Sequence, residues 1–432
     1  MAEDYKTLDK EYIVNVYNRV GAVLDHGKGA ILYDVDGKKY IDLSAGIAVN
    51  IFGVCDDVWI KAVEAQLHKL SHISNVFFTE PQTVLAEKLC QKTGMKKVFF
   101  SNSGAEANEC AIKTARKYSH DKYGDGRYTI VTLKNSFHGR TIATLTACGQ
   151  DSLHEDFGPF VDGFVYAEPD DFADMKRLCE ENNVCAIMME MVQGEGGVHP
   201  LDKEYVQQVA EYAHAHDILI IVDEVQTGNG RTGYLYSYMG YGIQPDIVST
   251  AKAIGGGLPL GATMFADSTQ HTLTNHTHGS TFGGNPICTA GGISIIDRLD
   301  DALMEEVREK GKYIKEELEQ CEHVDHVSGM GLMIGVTLKN KALMDVVEGC
   351  VDHGVLVLTA NGLLRLLPPL NIPWDELKEA ISIVKKVIDK YNIVYSICAE
   401  SARLHNKEIK LYYERRTLID KIPIPLDWMN LE

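Results

Sequence analysis

The sequence predicts an α/β fold with a mostly parallel central sheet, and three observations carry that prediction. Short apolar runs bounded by turn residues alternate with longer amphipathic stretches, the pattern of strands and their covering helices. Five of those runs end in polar or glycine-rich segments. The chain has 432 residues, 45% of them hydrophobic, enough to bury a large core and add a second, smaller unit.

Taken in order, residues 1–50 read as loop and hairpin, with Asp36-Gly37 at a turn, and are expected to contribute to the smaller unit. Residues 51–290 form the large unit. Its strand candidates are Lys97–Ser101, Tyr128–Leu133, Cys185–Met189, Ile218–Val222 and Asp246–Thr250, with helices such as Ala105–Tyr118 and Tyr205–His216 between them. Over residues 291–391, two long amphipathic helices flank short strands around Gly331–Leu338 and Val355–Leu358, which predicts a smaller α+β domain. Residues 392–432 differ in character. Arg403, Lys407, Lys410, Arg415 and Arg416 alternate with acids in a solvated helix candidate, where Tyr412, Tyr413 and Trp428 leave a docking role open. It ends in Ile422-Pro-Ile-Pro-Leu-Asp-Trp, which cannot continue as helix.

Composition excludes several classes. There are 61 acidic and 42 basic residues, a formal net charge of -19, which argues against nucleic-acid or anionic-membrane partners. The 10 cysteines are scattered, with no CxxC and no clustered Cys/His spacing, so buried thiols in a reducing cytoplasm are expected rather than disulfides or a metal site. The first residues carry no basic and apolar leader, and no apolar stretch approaches the roughly 20 residues of a membrane span.

The chemistry lies just beyond the strands. Val98-Phe-Phe-Ser leads into Asn102-Ser-Gly-Ala-Glu-Ala-Asn, and Thr129-Ile-Val-Thr-Leu leads to Ser136-Phe-His-Gly-Arg140. Glu190 and Gln193-Gly-Glu-Gly-Gly, Asp223-Glu-Val-Gln-Thr-Gly, and Ala251-Lys252-Ala-Ile-Gly-Gly-Gly follow the other three. Open parallel sheets bind ligands at the carboxyl ends of their strands. Ser103-Gly104-Ala105 opens a helix, whose free amides could hold a phosphate, although a plain serine-capped turn would look the same. The nucleotide P-loop pattern is absent. Asp223 ends an apolar run and needs a cationic partner, which a structural salt bridge would also supply. Lys252, equally placed, can be desolvated into an amine nucleophile, or be an ordinary exposed lysine. Together, a phosphate-holding helix start, a buried aspartate and a strand-end lysine are what pyridoxal phosphate requires: phosphate anchor, ring-nitrogen partner and Schiff-base amine.

These segments, with Gly230-Arg-Thr-Gly and His278-Gly-Ser-Thr-Phe-Gly-Gly-Asn-Pro, resemble the class-III pyridoxal-phosphate aminotransferases over roughly residues 10–390. The resemblance implies the fold-type-I transferase architecture and a homodimer with active sites at the subunit interface. It also implies that Ser103, Gly104 and Ala105 bind the phosphate, with Thr281 contributed by a partner subunit. Phe137 would stack on the pyridine ring with Val225 on its other face, Asp223 would pair with the ring nitrogen, Gln226 would lie near the phenolic oxygen, and Lys252 would form the Schiff base. Arg140 and Ser280 would hold a substrate carboxylate. Arg365 resembles the arginine for a second carboxylate, masked by Glu195 when that site is empty, though a structural ion pair and a solvated loop carboxylate are the plain alternatives. Arginine's bidentate grip suits such a role. Ser74-Asn-Val-Phe-Phe-Thr-Glu-Pro-Gln further resembles members that move the terminal amine of N2-acetylornithine to 2-oxoglutarate, with ornithine, 4-aminobutyrate and succinylornithine as rival donors. A pyridoxal-phosphate isomerase or racemase, or a silent scaffold on the same fold, stands further off.

Three places depart from the family pattern. Asn50-Ile-Phe-Gly-Val-Cys-Asp-Asp-Val-Trp replaces a common Gly-His-x-His-Pro turn, near the entrance in relatives. Met191 replaces a usual proline, and residues beyond about 392 extend past the usual end.

Overall fold

A computed structural model describes residues 2–339 and 343–405, with the backbone alone for 391–405. Its centre is a seven-stranded sheet in the order β4-β12-β11-β10-β7-β5-β6. The strands are β4 (Lys97–Ser101), β5 (Thr129–Leu133), β6 (Phe164–Ala167), β7 (Val184–Met189), β10 (Leu219–Asp223), β11 (Ile247–Thr250) and β12 (Gly261–Phe265). All neighbouring pairs from β11 to β6 are parallel, while β12 runs antiparallel to both β4 and β11.

The middle of the sheet is covered on both faces. Every residue of β7 and β10 is buried. Ile187, Met189, Ile220 and Val222 join the largest core with Met175, Val206 and Val209, whereas Ala186, Met188, Leu219 and Ile221 pack with Cys110, Ala111 and Ala115. Alternate residues therefore feed two cores, as the period of two in a strand demands. Each such side chain contributes about 1.5–3 kcal/mol of burial.

Three smaller sheets surround it. β1 (Leu24–Lys28), β2 (Ile31–Asp34) and β3 (Lys39–Asp42) are joined by β15 (Val355–Leu356), which pairs parallel with β3. β13 (Val324–Met330), β14 (Met333–Leu338), β17 (Leu363–Leu366) and β16 (Leu358–Ala360) form an antiparallel sheet. β8 (Val192–Gln193) and β9 (His199–Pro200) make a short ribbon. Arg231, fully buried, ties the second sheet to the large one by donating from Nη1 to the carbonyls of Leu332 (3.0 Å) and Pro368 (2.6 Å).

The structure corrects three expectations. The opening is not all loop and hairpin, since Ala2–Tyr12 is a helix whose Tyr5, Leu8 and Tyr12 share one face but are not buried. After residue 291 there are two long helices, Asp301–Glu319 and Trp374–His405, but also a shorter one at Leu343–Asp352. The helix from Trp374 runs through residue 392 without a break to His405. Lys407, Lys410, Tyr412, Tyr413, Arg415, Arg416 and Trp428 lie outside the described residues, as does the side chain of Arg403. Among the described residues no helix is long and apolar enough to cross a membrane.

Candidate active site

The carboxyl ends of β4, β5, β7, β10 and β11 open into one cavity of about 450 Å³, lined among others by Ser103, Gly104, Ala105, Phe137, Arg140, Asp223, Val225, Gln226 and Lys252. The structure thus brings together nine residues that the sequence singles out.

Ser103 caps the helix Gly104–Tyr123, accepting from Glu106 N at 3.2 Å. Glu106 reaches back and accepts from Asn102 N at 2.9 Å. The reciprocal cap leaves the amides of Gly104 and Ala105, which precede the first helical hydrogen bonds, at the cavity wall with the positive end of the helix dipole. A Cβ on Gly104 would stand 2.6 Å from Val225 Cγ1, so only glycine lets the helix start approach that closely.

Asp223, at the end of β10, is buried, and both of its oxygens have partners. Oδ2 accepts from Asn108 Nδ2 at 2.7 Å and bonds His138 Nδ1 at 2.8 Å, while Oδ1 accepts from Val225 N at 2.9 Å. Asn108 Nδ2 also donates to the His138 carbonyl at 2.7 Å, locking histidine, asparagine and aspartate into one unit. His138 Nε2 is buried without a partner among the described residues.

Glu190, beyond β7, accepts from Phe137 N at 2.9 Å and Gly194 N at 3.2 Å. Burial, reinforced by nearby Asp223, pushes its carboxyl up to about 7 against the opposing pull of His138 and the two amides. Lys252 follows β11 at a φ of +49°, and its amine has no hydrogen bond or ion pair among the described residues. Burial lowers its pKa; Glu195 opposes that shift and Arg365 adds to it.

Arg365, in the middle of β17 and buried, contacts Glu195 Oε1 at 2.6 Å and Gln226 Oε1 at 3.1 Å through Nη1. Gln226 Nε2 closes the triangle on Glu195 Oε1 at 3.2 Å. Burial pushes the Glu195 carboxyl up, but Arg365 more than offsets this, and it sits below the usual carboxylate range. Arg140 is exposed at the cavity rim, with its guanidinium 5.3 Å from the Phe137 ring centroid.

Glu195 and Arg365 do not line this cavity and meet its wall through Gln226, and two further residues lie elsewhere. Ser280 and Thr281 line a separate hollow with Ser74, Asn75 and His276 rather than this cavity. Ser280 Oγ accepts from Asn102 Nδ2 at 3.2 Å, so it touches the cavity wall only from behind.

Sequence reasoning assigned no role to Asn108, His138 or Glu190. Asn108 had a readable signal, because four residues after Gly104 it shares that helix face.

The residues fit pyridoxal phosphate. Unpaired helix amides can take a phosphate, an unpartnered amine can condense with an aldehyde, and a buried carboxylate can hold a ring N–H. Such a site on a mostly parallel sheet defines a pyridoxal-phosphate-dependent transferase. Comparison with known proteins narrows this: residues 12–388 match the model of the family "Aminotransferase class-III", and the chain belongs to that family, whose members use pyridoxal phosphate. The acetylornithine aminotransferase of Haemophilus ducreyi is 48% identical over 390 residues, covering 90% of this chain and 99% of that one. Among solved structures, an ornithine aminotransferase of Toxoplasma gondii, described with partial occupancy of PLP at its active site, is 30% identical with a TM-score of 0.85, covering 90% and 94%. The N-acetylornithine aminotransferase of Stenotrophomonas maltophilia is 32% identical with a TM-score of 0.78, covering 90% and 99%. This chain is an aminotransferase, and its reaction takes an amino donor and a keto acid.

Proposed function

We propose that the donor is N2-acetyl-L-ornithine and the acceptor 2-oxoglutarate, giving N-acetyl-L-glutamate 5-semialdehyde and L-glutamate, a step of arginine biosynthesis. The observation that carries this reading is the Arg365–Glu195 pair, 2.6 Å long, which meets the cavity through Gln226 and lies close enough to Lys252 for both charges to act on its amine. A donor with one free carboxylate and an acceptor with two need one arginine always available and one that can be masked. Arg140, exposed at the rim, suits the first part, and Arg365 under Glu195 and Gln226 suits the second. The names of the relatives support the choice of donor.

In this reading the amides of Gly104 and Ala105, with Ser103, hold the cofactor's phosphate. Phe137 and Val225 would flank its ring, Gln226 would lie near its phenolic oxygen, and the Lys252 amine would hold it covalently. Bound pyridoxal phosphate supplies an electron-withdrawing ring that accepts an amino group and returns it. Asp223, held in place by His138 and Asn108, would pair with the ring nitrogen and keep a proton there. Lys252, its basicity lowered by burial and its amine set free when the donor's amine takes its place, would move the proton from the donor's δ-carbon to the cofactor and carry one the other way in the second half-reaction. Arg140 orients the donor's carboxylate, whereas Ser280, in the separate hollow beside Thr281, does not reach it within one subunit. When 2-oxoglutarate enters, its second carboxylate displaces Glu195 from Arg365.

The same reading makes the chain a cytoplasmic homodimer in which Thr281 completes the partner's phosphate site. Phe78 is 99% exposed, and Phe77 and Phe282 also project, which supports a covering subunit at that face. It also divides the chain into a cofactor-binding unit, 51–290, and a smaller one, 291–391, which the β3–β15 pairing joins to 1–50.

The test is a single-turnover spectrum of the pyridoxal-phosphate-loaded protein, mixed separately with N2-acetylornithine, ornithine and 4-aminobutyrate without keto acid. Fastest loss of the cofactor's visible band with N2-acetylornithine is expected. Faster loss with another amine would reassign the donor.

A further inference from the structure

The segment 50–59, where the chain departs from its family's usual turn, does not reach the reacting groups directly. Its last residue does reach the turn that carries Lys252. Trp59 Nε1 donates to the carbonyl of Gly255 at 3.0 Å, and Gly255 closes the single turn Lys252–Gly255. The indole is seated between two glycines. A Cβ on Gly256 would lie 2.6 Å from Nε1, and one on Gly291, in the helix Pro286–Ile296, would lie 2.8 Å from it.

Trp59 is itself held from behind. It opens the helix Asp57–Lys69, and its own amide is capped by Asp56 Oδ1 at 2.9 Å. Asp56 pairs with Arg298 Nη1 at 2.8 Å, and the Arg298 guanidinium lies 3.9 Å from the centroid of the Phe52 ring. Phe52, Asp56 and Trp59 all belong to the departing segment.

The turn needs such a hold. Lys252 has a φ of +49°, a region that a residue with a Cβ leaves unless its surroundings over-determine it. Ile254 N to Ala251 O (3.3 Å) and Gly256 N to Ala253 O (3.0 Å) close it from inside, and the Gly255 carbonyl also accepts from Leu258 N at 3.1 Å. The indole adds a restraint from a separate element.

We propose that Trp59 is a positioning residue for Lys252, its indole N–H and ring fixing the Lys252–Gly255 turn so that the amine stays aimed into the cavity. The proposal rests on reading Lys252 as the reacting amine. Trp59→Phe keeps most of the ring and removes the N–H. Gly291→Ala displaces the indole from its far side without touching Trp59 or the turn.

Hydrogen exchange of the cofactor-free variants is the first readout. Amides of Ile254, Gly256 and Leu258 should exchange roughly fivefold faster or more in both variants, as the loss of one net hydrogen bond requires, while those of β10 keep their rates. In the loaded enzyme kcat should fall by a similar factor with the KM of both substrates held. Unchanged exchange at those three amides would overturn the proposal. So would faster exchange shared equally with β10, which marks general loosening, or an unchanged kcat. Lys252→Ala, measured alongside, separates the two claims: full turnover there removes the role of Lys252 and leaves the exchange result standing.

Discussion

Glu190 is a buried carboxyl in the cavity wall that ties two other parts of the site together. It grips the amide of Phe137 on one side and that of Gly194 on the other, joining the ring-stacking candidate to the loop that carries Glu195. Burial raises it from an ordinary 4.5 to about 7, so between those values the folded protein keeps a proton that the unfolded chain has released. Its contribution to stability is therefore full below that window and is lost as pH rises through it. Glu190→Gln cannot titrate. The difference in melting temperature between variant and wild type should shift in the variant's favour from about pH 5 to about pH 8, and a constant difference would refute the shift. At Glu195 the test is kinetic. Glu195→Gln leaves Arg365 permanently unmasked, so the half-reaction with N2-acetylornithine should slow roughly tenfold relative to that with glutamate, about what one charge-assisted hydrogen bond is worth. Equal slowing of both would argue for a structural pair. Asp223 and Lys252 were legible because each ends an apolar run. His138 and Asn108 were not, because they stand 85 and 115 residues from the aspartate they hold and only folding brings them to it.

Among the elements, the helix Gly104–Tyr123 supplies the phosphate-binding candidate through its first turn, and the cap decides where those amides point. Ser103→Ala removes the acceptor for Glu106 N and should cost about 1 kcal/mol in urea unfolding, with weaker uptake of pyridoxal phosphate by the cofactor-free protein. Unaltered uptake would mean that Glu106 alone sets the turn. The five strands that lead into the site were readable within a residue at either end, since each is a short apolar run closed by a polar segment. β6 and β12 were missed for local reasons. β6 is a four-residue edge strand with only one buried position, and β12 starts with Gly261-Ala262, which carry no strand signal of their own. The helix Ala2–Tyr12 was missed because it buries nothing, and helical spacing without burial looks like any polar leader.

At the scale of the whole molecule, Arg231 is the piece least visible in the sequence: nothing about Gly230-Arg-Thr-Gly marks its guanidinium as completely buried beneath two carbonyls of another sheet. Asp42 is the carboxylate that offsets its charge there. Arg231→Ala would empty a fully buried site, leave the carbonyls of Leu332 and Pro368 without that donor and take the compensating charge from buried Asp42, and should cost roughly 3 kcal/mol or more by denaturant titration. A cost below about 1 kcal/mol would show that the sheets hold together without it. The pairing of β3 with β15 bears on how the molecule is made. Roughly 300 residues separate the two strands, so on the ribosome the first hairpin sheet waits about 15–60 s for its last member. Through that interval β3 presents a bare edge, while β4 to β12 can already assemble beside it. Lys39, exposed at the start of β3, is the kind of charge that keeps a waiting edge from pairing with the wrong nascent chain.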